Sequence, residues 1–140
     1  MAFVIALITW ERSLRRAPLS TYSKFLATHQ TQAQWRYQVK ASLKNQKALD
    51  RYLEWLFDGH VQAVCHWAQS AEVVMLENDE NSIPQVLSVY WFKSQIEFEK
   101  YEKEGAPKLR EEGIALAQEL GGIEFSRSLG WAWSCMADLK

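Results

Sequence analysis

A chain of 140 residues, 48% hydrophobic and 24% charged, has the length and balance of one globular domain with a core of useful size. A net charge of −1 gives no electrostatic case for non-specific nucleic-acid binding, and no apolar run reaches the length of a bilayer span. Cys65 and Cys135 lie far apart and form no CxxC pair, which argues against a structural zinc site and a disulfide scaffold, and the expected compartment is the cytoplasm.

Residues 1–33 read as an N-terminal extension, helical or partly disordered and peripheral to the fold. The opening "MAFVIALITW" is apolar but too short to cross a bilayer, and it lacks the basic start and cleavage site of a secretory signal. Arg12, Arg15, Arg16 and Lys24 stand against Glu11 alone, with several Ser and Thr. That balance keeps an organellar transit peptide open as an alternative.

The ordered domain is expected over 34–133, with a tail over 134–140. In "QWRYQVKASL" (34–43), Trp35, Tyr37, Val39, Ala41 and Leu43 alternate with Arg36, Gln38, Lys40 and Ser42, a period of two that predicts a half-buried strand. "KALDRYLEWLFDGHVQAVCHWA" follows with Leu49, Tyr52, Leu53, Leu56 and Phe57 at helical spacing. "AEVVMLE" (71–77) reads as a second strand ending in the turn formers "NDENSIP", and "QVLSVYWF" (85–92) as a central third. Ser94 and Glu97 form a capping box for a long helix that Pro107 splits near Gly105. Gly121 and Gly122 end it, and "IEFSRSLGWAW" (123–133) is the last strand.

The order β-α-β-β-α-β predicts a ferredoxin-like α+β sandwich, two helices on one face of a four-stranded antiparallel sheet. By alternation the helix-facing side carries Trp35, Tyr37, Val39, Leu87, Val89, Trp91, Ile123, Phe125 and Leu129. The opposite side then carries Arg36, Gln38, Lys40, Val86, Ser88, Tyr90, Phe92, Glu124, Ser126 and Ser128. That second face mixes polar groups with large aromatics, so either it is left open in a monomer or two sheets close face to face around a polar-lined cavity. The ligand-binding candidates there are Arg36, Gln38, Lys40, Tyr90, Phe92 and Glu124, with Arg36 and Lys40 as cations for an anionic group.

The runs "WRYQVKASLKNQKALDRYLEWLFDGHVQAV", "SAEVV" and "FEKYEKEGAPKLREEG" resemble a bacterial family of small dimeric α/β-barrel domains without an assigned function. The resemblance covers roughly residues 34–130 and implies a homodimer. A histidine often precedes the Ala-Pro of such sequences; Gly105 stands there here, so this helix supplies no second imidazole. The wider fold group includes cofactor-independent monooxygenases, isomerases, dehydratases and haem-handling enzymes, and the fold does not choose among them.

The densest chemistry lies in "GHVQAVCHW" (59–67). Ligands sharing a helix face sit three or four residues apart, whereas His60 is five from Cys65 and six from His66, so no metal site is expected and no cofactor is predicted. If the helix runs through Gly59, His60 joins the apolar stripe of Leu53, Leu56, Val64 and Trp67; if Gly59 ends it, that stripe fails. His60 is then either a helix-end histidine satisfied by a backbone carbonyl or a general acid or base with a lowered pKa. Cys65 reads as a small core-edge residue, since no histidine lies at a helical spacing to activate it.

Three functional readings follow. The leading one is a dimeric domain that binds a small ligand in a sheet-lined cavity without catalysis. The second is a cofactor-independent enzyme using His60 as acid or base. The third, an RNA-binding open sheet, lacks its basic glycine-aromatic signature in "SVYWFKSQ", so neither nucleic acid nor membrane is an expected partner.

Overall fold

The computed structural model describes residues 33–77 and 82–134. The elements are β1 (Ala33–Ser42), α1 (Gln46–Trp55), a kinked segment (Leu56–His60), α2 (Val61–Val64), β2 (Ser70–Met75), β3 (Gln85–Phe92), α3 (Gln95–Glu104), α4 (Ala106–Glu119) and β4 (Glu124–Trp133). Residues 1–32 and 135–140, with them the transit-peptide alternative and Cys135, lie outside the described residues; Ala33 already belongs to β1.

The sheet order is β2-β3-β1-β4 and every pairing is antiparallel. β3 therefore inserts between β1 and β2, the split βαβ arrangement of a ferredoxin-like sandwich. Local chemistry sets the element ends. Asn45 caps α1 by accepting from the Ala48 amide at 2.9 Å, and Ser94 caps α3 by accepting from the Glu97 amide at 3.2 Å. Pro107, in the first turn of α4, needs no amide hydrogen and so begins a new helix after Gly105. A side chain at Gly105 would run into the Trp67 indole, so glycine is required there by close packing.

β1 alternates buried and half-buried along its whole length, as the sequence dictates. β3 departs from expectation. Tyr90 pairs with Tyr37, Phe92 with Trp35, Ser88 with Val39 and Val86 with Ala41. Directly opposed residues of an antiparallel pair share a face, so Val86, Ser88, Tyr90 and Phe92 point toward the helices and Leu87, Val89 and Trp91 point away. The predicted phase is one residue out. The physical reason is that β3 is a central strand, apolar on both faces, and its own alternation does not say which face is inner. β4 keeps the predicted phase, but its inner row includes Arg127, opposite Val39.

Two buried clusters fill the space between sheet and helices. One gathers Trp35, Tyr37, Tyr90, Phe92, Phe98 and Tyr101, and the other Leu43, Leu49, Tyr52, Leu56, Leu116 and Ile123. Among the described residues no helix is long and apolar enough to cross a membrane.

Candidate functional site between the helices and the sheet

The local backbone explains why His60 turns inward. The helix that begins with α1 breaks at Asp58 (φ −93°, ψ 42°) and Gly59 (φ 117°, ψ −22°), so Gly59 ends it and the chain kinks there. A Cβ at Gly59 would meet nothing within 4 Å, so glycine is needed for the backbone angle and not for space. Helix resumes at Val61, so His60 stands at the start of the next helix and the kink sets the direction of its side chain. The His60 ring stacks on Trp55, centroids 3.9 Å apart and planes 26° from parallel. The residue as a whole is half-buried, yet its Nδ1 is fully buried without a hydrogen-bond partner among the described residues. Burial pushes the imidazole pKa down to about 4. His60 thus follows a helix end, as one of the two readings expects, but its Nδ1 finds no backbone carbonyl there.

His60 lines a cavity of about 240 Å³ at the seam between the two clusters, with Tyr37, Ser88 and Tyr90 contributed by the sheet and Tyr52 and Ile114 by the helices. The lining extends to the exposed Glu111 and Pro107 of α4, so the cavity reaches the surface there. Its walls are mostly aromatic and aliphatic. Tyr90 Oη and Ser88 Oγ are, like His60 Nδ1, buried without a hydrogen-bond partner among the described residues. Ser88 sits beside the Tyr52 and Tyr90 phenols and weakly favours their ionised forms, without completing a bond of ordinary geometry. Desolvation outweighs this and raises both phenols well above the usual tyrosine range, so they stay protonated.

At one end of the cavity lies an ion cluster that sequence reasoning missed. Glu102 Oε1 accepts from Arg110 at 2.7 Å and from Arg127 at 2.9 Å, and the Arg127 side chain is 0% exposed. The Arg127 guanidinium also lies over the Tyr37 ring, 4.6 Å from its centroid. Both arginines favour the Tyr37 phenolate, but burial dominates and its pKa is raised. The signal was in "EFSRSLGWAW": alternation from Phe125 to Leu129 turns Arg127 inward, and an inward arginine requires a buried carboxylate.

The remaining candidates do not assemble. Arg36, Gln38 and Lys40 lie on the outer face, where Arg36 donates to Gln38 Oε1 at 2.6 Å, and Glu124 is exposed near the end of the same face, opposite Ser42. Tyr90 and Phe92 lie on the other side of the sheet, so the predicted six-residue ligand set is split in two. His66 is exposed, with its ring edge-to-face on Trp67, and does not converge with His60. Cys65 is half-buried, and desolvation raises its thiol pKa, which is the opposite of an activated nucleophile.

No family model matches this sequence, and no curated protein does. Solved structures do. A dimeric ferredoxin-like protein from an uncultured marine organism superposes with a TM-score of 0.52 at 11% identity, covering 76% of this chain and 99% of that one. A nipsnap family protein of unknown function from Agrobacterium tumefaciens gives 0.50 at 12% identity, covering 73% and 91%. A monooxygenase from Streptomyces coelicolor, solved with the ligand nanaomycin D, gives 0.48 at 14% identity, covering 78% and 94%. Likeness at such identity extends to the fold alone. The chain thus has the ferredoxin-like architecture.

Proposed function

We propose that this protein binds a small ligand in the cavity between helices and sheet, one per protomer of a homodimer joined through the outer sheet faces. One observation carries the reading: His60, Ser88 and Tyr90, each with a buried polar atom lacking a protein partner, line a single, largely apolar cavity. Native interiors pair nearly all such atoms, and those left over mark places where something else completes the bonding. Mostly apolar walls with a few placed polar groups are the usual make-up of a ligand site. The site so proposed lies within each protomer and not between two sheets, because β3 carries Tyr90 inward.

The outer face suits a second copy. Val74, Leu87 and Trp91 form an apolar strip on β2 and β3, while β4 presents the small Ser126, Ser128, Gly130 and Ala132. Bulky side chains of one sheet pack into the groove left by small ones on another. The dimeric ferredoxin-like protein of the same architecture supports a homodimer.

A second reading, acid or base catalysis by His60, rests on its place in the cavity. A pKa of about 4 leaves the imidazole neutral at pH 7 but makes it a weak base. Magnitude thus favours His60 as a hydrogen-bonding group over a proton acceptor in chemistry.

A thermal-shift screen of an uncharged fragment library tests the binding reading, with Ile114→Trp as the control that fills the half-buried rim of the cavity. Binders should raise the Tm of the wild type and not of Ile114→Trp. Fragments that stabilise both proteins equally would place binding elsewhere.

A further inference from the structure

The unpartnered atoms are arranged on two opposed walls. Ser88 and Tyr90 are alternate residues of β3, so both hydroxyls leave the sheet from one face, against Val39 and Tyr37 of β1. His60 comes from the kink between α1 and α2 in the helix layer across the cavity. The sheet wall offers two O–H donors, since burial keeps the Tyr90 phenol protonated and the serine hydroxyl is free to rotate. The helix wall offers a neutral imidazole whose Nδ1 can accept once the proton resides on Nε2. Arg110 and Glu111, the charged groups lining the cavity, have opposite signs, and Arg110 is engaged by Glu102. Nothing in that set calls for a charged ligand.

Size narrows the class further. A dry apolar cavity of about 150 Å³ accommodates benzene, so about 240 Å³ accommodates one ring with substituents, about ten non-hydrogen atoms by simple scaling. Aromatic walls from Tyr37, Tyr52 and Trp55 suit a flat ring. Resting on the reading of this cavity as a ligand site, we propose that its ligand is an uncharged single-ring compound with a carbonyl at one end and a hydroxyl at the other. The carbonyl oxygen accepts from Ser88 and Tyr90, and the hydroxyl donates to His60 Nδ1.

Calorimetric titration of the full chain at pH 6.5 with a matched series tests this. The probes are 4′-hydroxyacetophenone, acetophenone, 4-ethylphenol, ethylbenzene and the anion 4-hydroxybenzoate. Affinity should fall about tenfold on losing either polar group and further on losing both, with the anion weaker than the hydroxyketone. Tyr90→Phe should weaken 4′-hydroxyacetophenone about tenfold and leave 4-ethylphenol unchanged, and Ser88→Ala provides the same comparison should Tyr90→Phe fold poorly. His60→Phe should weaken 4-ethylphenol and spare acetophenone. If ethylbenzene binds as tightly as the hydroxyketone, or the variants weaken every probe alike, the ligand class is wrong while the cavity remains a binding site. If no probe binds at millimolar concentration, the cavity reading falls together with the class.

Discussion

The two sides of the sheet solve opposite problems with the same four strands. On the helix side, Arg127 has a side chain that is 0% exposed, paired through Glu102 to Arg110, and next to this cluster lies a cavity where the buried polar atoms of His60, Ser88 and Tyr90 belong to uncharged groups. On the outer side the charges of β1 stay half-buried among neighbours, and the apolar strip lies on β2 and β3. The contrast teaches that chemistry here follows enclosure and not charge density. Arg36 and Lys40 look like an anion site in the sequence, yet they sit on a face suited to packing, while the half-buried His60 shares a cavity with two buried hydroxyls.

The strongest way to break this contrast is to remove the carboxylate at the centre of the ion cluster. Glu102→Ala leaves the enclosed Arg127 guanidinium without its carboxylate, and stability should fall by about 3–5 kcal/mol. Urea unfolding reads this directly. A loss below about 1 kcal/mol, the scale of an exposed pair, would mean that the cluster is not truly enclosed.

Acidification probes His60. Its folded-state pKa of about 4 lies below the model value of 6.5, so between those values the unfolded chain binds more protons than the folded one. Stability contributed by the neutral ring is fully present above pH 6.5 and is lost as the pH falls towards 4, at up to about 1.4 kcal/mol per pH unit. The full loss is on the order of 3 kcal/mol. Because carboxylates titrate in the same range, the quantity to measure is the wild-type curve minus that of His60→Gln. A difference that does not change between pH 7 and pH 4 would place the ring in solvent.

On the outer side, Trp91→Glu combined with Val74→Glu puts charge into the apolar strip without touching the cavity. The homodimer should dissociate at least about a hundredfold more readily, about 2.7 kcal/mol, by sedimentation equilibrium. An unchanged mass would move the interface elsewhere. The smallest effect is a gain. Gly113 is in the interior of α4, and a Cβ there would meet only the Trp55 ring at 3.7 Å, an ordinary contact. Gly113→Ala should therefore stabilise the helix by about 0.5–1 kcal/mol. Destabilisation would show that the cavity wall needs the space.

The sequence made some of this legible and hid the rest for identifiable reasons. β1 declared its inner face because polar and apolar residues alternate without exception, and Ser94 and Pro107 announced where α3 and α4 begin. β3 concealed its phase because Leu87, Val89 and Trp91 are as apolar as the residues that turn inward. That one-residue ambiguity moved Tyr90 and Phe92 to the wrong side and made a split set look like a site. His60 was visible as the ionisable residue of an apolar stripe, but whether the helix ran on through Gly59 was not, and the kink there is what aims the ring. The partnership of Arg127 and Glu102 joins β4 to α3 across 25 positions, a separation that no local pattern reports.

The most direct test of the central claim, that the ligand site lies under the helices, is methyl NMR with 4′-hydroxyacetophenone as the probe. Methyl groups of Val39, Val64 and Ala117 line the cavity, whereas those of Val74, Leu87 and Ala132 belong to the outer face. Saturable shifts confined to the first set are the predicted result. Shifts confined to the second set would contradict the account and return the site to the outer side of the sheet.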